Sequence, residues 1–132
     1  MMSLAGTRVA VAEDEPLLLE VLKDSLQMAG AELVECANDV AGAVALASLD
    51  RLDVAVLDID LRDGRSFGAA AALRDRGVGV LFASGSAPGD IPQDLRCCPM
   101  IRKPYTYRDL VRGVRAAVEA WSKDKQGVVA PA

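Results

Sequence analysis

The sequence has no histidine in its 132 residues. This excludes a Ser-His-Asp triad, a zinc site with His ligands and a phosphohistidine of the chain's own. Aromatic residues make up only 4% of the chain. The apolar runs are a few residues long, far short of the roughly 20 that a membrane span needs. No basic and apolar leader opens the chain, so no signal peptide is expected. The three cysteines cannot pair evenly. Cys97 and Cys98 are adjacent, a poor spacing for zinc, and Cys36 lies alone in an apolar stretch. They read as reduced structural cysteines of a cytoplasmic protein. Cationic surplus is absent too, because 15 basic against 19 acidic residues give 15 − 19 = −4. The most basic stretch, Arg102 to Arg115, is diluted by apolar residues and Asp109. Nucleic acid is therefore not an expected partner.

Hydrophobic residues make up 52% of the chain, and the length suits one domain with its own core. Residues 1–122 are expected to form that domain, with 123–132 a frayed polar tail. The runs Val9–Ala12, Val54–Leu57 and Val78–Ala83 do not alternate polar with apolar. That is the pattern of strands buried on both faces of a parallel sheet. Glu32–Cys36 and the weaker Pro99–Ile101 complete five strands. Helical patterns separate them. Pro16–Ala29 opens on proline and stops at Gly30, and Asn38 can cap a helix reaching Leu49. Ser66 or Arg65 opens an Ala-rich helix ending near Gly77. Thr106–Asp109 resembles a capping box, with Asp in place of Glu, and starts a helix running to Trp121. Only Ile91–Arg96 could turn helically between the last two strands. The expected architecture is α/β: a doubly wound, five-stranded parallel sheet with helices on both faces, its fourth helix shortened or replaced by loop.

Ligands of open α/β sheets bind beyond the carboxyl ends of the strands. Glu13-Asp14 follows the first strand, Asp58 and Asp60 the third, Ser84 the fourth and Lys103 the fifth. Two unit charges 4 Å apart repel by about 4 kcal/mol at an effective dielectric near 20. Three crowded carboxylates therefore call for a cation, and their oxygens suit Mg²⁺. Lys103 adds a positive charge and Ser84 a hydroxyl donor. These are parts for holding a transferring phosphoryl group, with Asp58, at the end of the most apolar strand, as the nucleophile.

This constellation resembles the receiver domain of bacterial two-component response regulators. The acidic pair Glu13-Asp14, Asp58 in Val56-Leu57-Asp58, Ser84 and Lys103-Pro104 match in order and strand placement over residues 7 to 122. The resemblance implies a flavodoxin-like strand order 2-1-3-4-5, with Asp58 as the phosphoacceptor. It implies that Asp14 and Asp58 bind Mg²⁺ directly, Asp60 through its backbone carbonyl and Glu13 through water. Ser84 and Lys103 would contact the phosphoryl group, and Lys103–Pro104 would be cis. Asp60 and Ser86 would influence how long the phosphorylated form lasts. The family's switch aromatic has Met100 in its place, which otherwise reads as core.

Phe82-Ala83-Ser84-Gly85-Ser86-Ala87 further resembles the Phe-Ala-Thr-Gly-x-Tyr motif of alphaproteobacterial single-domain receivers. That subgroup implies a sensor histidine kinase of the HWE or HisKA2 type, or a histidine phosphotransfer protein, as phosphodonor. Output would be protein binding to a partner not readable here, or service as a phosphate sink. The switch would then rest on the 85–98 loop. Tyr105 and Tyr107 are candidates for a partner surface, with half-buried packing expected for at least one. Two other readings remain. Asp58-Ile59-Asp60 resembles the Asp-x-Asp motif of haloacid-dehalogenase-type phosphatases, with Asp60 as acid/base, although chain order argues against it. A receiver excised from a hybrid kinase would look similar, although Met1-Met2 and the fading tail favour a stand-alone chain.

Overall fold

The computed structural model describes residues 3–86 and 88–129, with side chains described through Ala120. Five parallel strands form the sheet: β1 (Arg8–Ala12), β2 (Glu32–Ala37), β3 (Val54–Asp58), β6 (Gly79–Ser84) and β7 (Met100–Arg102). Two short strands, β4 (Asp60–Leu61) and β5 (Gly64–Arg65), pair antiparallel outside it. The sheet order is β2-β1-β3-β6-β7, the expected flavodoxin-like order once the β4–β5 ribbon is set aside. The helices are α1 (Pro16–Met28), α2 (Val40–Ala45), α3 (Phe67–Asp75) and α4 (Tyr107–Val129). Among the described residues of the β6–β7 crossover the one helical piece is a 3₁₀ turn, Gln93–Leu95, where the alternation calls for a fourth helix.

Successive side chains of a strand point to opposite faces. Ala10, Ala12, Ala55, Leu57, Val80 and Phe82 therefore fill the layer shared with α2 and α3. Val9, Val11, Val54, Val56 and Leu81 fill the layer shared with α1 and α4. Every residue of β3 and β6 is buried, which is why their sequences carry no polar alternation. Gly79 permits the close approach of β6 to α4, since a Cβ there would lie 2.8 Å from the Ala117 carbonyl oxygen.

Several boundaries differ from the sequence reading, each for a local reason. Asp39, not Asn38, caps α2: its carboxylate accepts the Gly42 N–H at 2.7 Å from an extended backbone. The helix then tightens into a 3₁₀ turn at Leu46–Ser48. Ser66 does precede α3, but its hydroxyl makes no capping bond. The Thr106 box forms as expected: the Asp109 N–H donates to Thr106 Oγ1 at 3.0 Å, and the Thr106 N–H to Asp109 Oδ2 at 3.1 Å. The α4 backbone stays helical to Val129, past Trp121. Met100 is not core, since it is 36% exposed on an edge strand. Cys98 is buried and Cys36 half-buried, but Cys97 is exposed; none of the three forms a disulfide. Among the described residues, no helix is long and apolar enough to cross a membrane.

Candidate functional site

The carboxyl ends of β1, β3, β6 and β7 deliver the predicted polar residues to one edge. Glu13 extends β1, its N–H bonded to the Ala37 carbonyl at 3.0 Å. Asp58 closes β3 and is buried. Ser84 closes β6 and is likewise buried, and its carbonyl accepts the Lys103 N–H at 2.8 Å, which fixes Lys103 just past β7. The Lys103–Pro104 peptide is cis, as the resemblance implied.

Lys103 organises the centre. Its Nζ donates to Asp58 Oδ2 and to Glu13 Oε1, each at 2.9 Å. Glu13 is only 2% exposed, so it is a buried ion-pair partner of Lys103 rather than a peripheral group. Asp14 is half-buried, and one carboxylate oxygen from each of Glu13, Asp14 and Asp58 lies within 4.8 Å of the others. Burial pushes the Asp58 carboxyl up to about 6; Lys103 pulls it down and Glu13 pushes it up again. Burial works against the Lys103 charge, but its hydrogen bonds to Asp58 and Glu13 prevail and raise its pKa. Burial likewise raises the Tyr105 hydroxyl, with the Glu13 charge adding to it.

Three carboxylates and one ammonium sum to −3 + 1 = −2 when all are ionised. A hard divalent cation balances that charge, and an all-oxygen donor set suits Mg²⁺ better than zinc or copper. The residues present therefore fit the ion that the sequence suggested.

The remaining predicted residues lie around this centre in different states. The Ser84 hydroxyl donates to the Ser86 carbonyl at 2.6 Å and accepts the Ser86 N–H at 3.2 Å, so it is engaged with its own loop. Ser86 itself is exposed. The Asp60 N–H donates to Asp58 Oδ1 at 3.3 Å, while its carboxylate pairs with Arg65 Nε at 2.8 Å. Arg65 is the group that the sequence reading missed. Its signal was Asp63-Gly64, a turn-favouring dipeptide at the end of the Arg62-Asp63 turn that joins β4 to β5. Tyr105 is half-buried against the α1–α4 layer and Tyr107 is exposed.

No family model matches the chain. Its fold is that of the CheY-like response regulator receiver domain protein from Methanospirillum hungatei JF-1, at TM-score 0.76 and 21% identity, covering 89% of this chain and 98% of that one. SdrG from Sphingomonas melonis Fr1 is 33% identical, with TM-score 0.70, over 92% of this chain and 99% of that one. The chain belongs to the response regulator receiver domains. Among curated proteins, this receiver domain is 27% identical over 115 residues to the transcriptional regulatory protein PdtaR of Mycobacterium tuberculosis. That match covers 84% of the receiver chain but only 56% of PdtaR, so the chain spans about half the length of the curated relatives it matches.

Proposed function

We propose that this receiver domain is a cytoplasmic phosphoacceptor in a two-component phosphorelay. The observation that carries the reading is the buried contact of Lys103 with both Asp58 and Glu13, beside the Asp14 carboxylate. An Asp58 carboxylate oxygen attacks the phosphorus of a partner phosphohistidine. The P–O bond forms as the P–N bond breaks, and the imidazole leaves with the electron pair. Lys103 meets the charge that gathers on the phosphoryl oxygens. Asp14, Asp58 and the Asp60 carbonyl would hold Mg²⁺, with Glu13 acting through water; the ion would neutralise the incoming phosphoryl oxygens. Ser84 reaches the phosphoryl group by exchanging its bond to Ser86. That exchange ties phosphorylation to the 85–98 loop, and amide exchange there is expected to change on phosphorylation.

The phosphohistidine donor lies outside these 132 residues, which contain no histidine. Its docking surface is the apolar strip beside the site. Leu17 and Val21 of α1 are 83% and 60% exposed. Leu18 and Val21, with Lys103, Pro104 and Tyr105, line a cleft of about 340 Å³. A sensor histidine kinase of the HWE or HisKA2 type, or a histidine phosphotransfer protein, is the proposed occupant. Output passes to a protein partner or ends with the domain as a phosphate sink; nucleic acid and membrane are not proposed partners. The phosphatase reading is not favoured, because the Asp60 carboxylate is held by Arg65.

Intact mass after incubation with a small phosphodonor and Mg²⁺ tests the proposal. One added phosphoryl group is expected on the wild type and none on Asp58→Asn. No adduct on the wild type, or an adduct that survives Asp58→Asn, overturns it.

A further inference from the structure

Asp58 and Asp60 stand in the Asp-x-Asp spacing that would let the second carboxylate act as a base toward water at the first. What separates this chain from that behaviour is a cation. Arg65 lies directly across the β4–β5 ribbon from Asp60, and its Nε is 2.8 Å from Asp60 Oδ1. An exposed ion pair of this kind is usually weak. Here the guanidinium has two further anchors. One Nη lies 3.1 Å from Asp90 Oδ1 in the β6–β7 crossover, and the guanidinium carbon stands 5.4 Å from the Phe67 ring centroid. Phe67 is itself packed edge-on against Phe82 of β6, with ring centroids 5.9 Å apart. A buried aromatic strand residue, a helix start and a loop carboxylate thus hold one arginine beside the phosphoacceptor ribbon.

We propose that Arg65 is a positioning residue that prolongs the life of the phosphoryl group on Asp58 by occupying the Asp60 carboxylate. The inference rests on the phosphoacceptor reading above. In the hydrolysis it restrains, a water oxygen attacks phosphorus and the P–O bond to Asp58 breaks. Asp58 leaves as carboxylate, inorganic phosphate departs, and the water proton passes to a base. With Arg65 in place, Asp60 is not free to be that base. Without it, Asp60 takes the proton and hands it to solvent. Asp90 makes the restraint sensitive to the 85–98 loop, so a partner that moves this loop also sets the phosphoryl lifetime.

The test compares phosphate loss from purified, phosphorylated protein in buffer containing Mg²⁺. Arg65→Gln is expected to lose phosphate about fivefold faster than wild type, well short of the 10²-fold or more of a fully placed base. The acceleration should vanish when Arg65→Gln is combined with Asp60→Asn, and the double variant should match Asp60→Asn alone. A merely structural role would not depend on Asp60. Asp90→Asn, which leaves the Asp60 contact in place, should accelerate the loss in the same direction and by less, and it serves if Arg65→Gln folds poorly. An adduct that decays equally in wild type and both Arg65→Gln and Asp90→Asn overturns this inference alone, as does an acceleration that persists with Asp60→Asn. Failure of the wild type to take up a phosphoryl group overturns the phosphoacceptor reading and this inference with it.

Discussion

Lys103 and Asp58, 45 positions apart in the chain, meet with Nζ 2.9 Å from Oδ2, and the same ammonium reaches Glu13 at an equal distance. One lysine thus serves two buried carboxylates. Burial raises the Asp58 pKa, and the shared ammonium offsets only part of that rise.

That strain predicts a pH-dependent stability. The Asp58 pKa rises from 3.8 in the unfolded chain to about 6 in the fold. Its contribution to stability is therefore fully present below about pH 4 and is lost as pH rises through 6. Asp58→Asn mimics the protonated form at every pH. In buffer freed of divalent ions by a chelator, Asp58→Asn should melt above wild type at pH 7.5, and the gap should close as pH falls from 6 to 4. Melting curves followed by circular dichroism check this, and equal Tm values at pH 7.5 would refute it.

Ser66 predicts the opposite of the usual cost of losing a cap. Its hydroxyl is completely buried and has no hydrogen-bond partner. Its N–H is satisfied by the Ile59 carbonyl at 3.0 Å and does not need the side chain. A buried, unsatisfied hydroxyl costs about 1–3 kcal/mol. Ser66→Ala should therefore stabilise the fold by about 1 kcal/mol in urea unfolding.

Gly79 predicts a loss. A methyl group there would lie 2.8 Å from the Ala117 carbonyl oxygen and 3.1 Å from its carbon, both main-chain atoms that cannot rotate away. Gly79→Ala should force α4 off β6 and cost about 2–3 kcal/mol. Gly89 has no atom within 4 Å of a Cβ, so Gly89→Ala should stay within about 0.5 kcal/mol of wild type.

The adjacent cysteines should differ sharply in reactivity. Cys97 is exposed, whereas burial pushes the Cys98 thiol up to about 11 and closes it off from reagents. At pH 8, alkylation followed by peptide mass analysis should label Cys97 well before Cys98. Equal labelling rates would mean that the 96–99 turn opens readily.

The chain by itself determined the parallel sheet and the edge at which chemistry gathers, and its resemblance to receiver domains supplied the strand order. Short, Val-rich apolar runs between turn signals and helical patterns read as strands buried on both faces, and a parallel sheet places their carboxyl ends together. Glu13, Asp14, Asp58, Ser84 and Lys103 were legible for that reason, each standing at the carboxyl end of one of four strands. The tertiary structure alone decided how these groups pair. No one-dimensional pattern says that Lys103 would bind Glu13 as closely as Asp58, or that the Ser84 hydroxyl would turn to Ser86. Met100 looked like core because it is apolar, yet the edge place of β7 leaves it half-open. Arg65 was invisible as a site residue because its meaning lies in its contacts with Asp60 and Phe67, close in the chain, and with Asp90, 25 positions away, which form only when the ribbon folds back beside α3 and the crossover loop. Burial patterns are written along the chain, whereas contacts between charges depend on distances that only the packed sheet and its loops set.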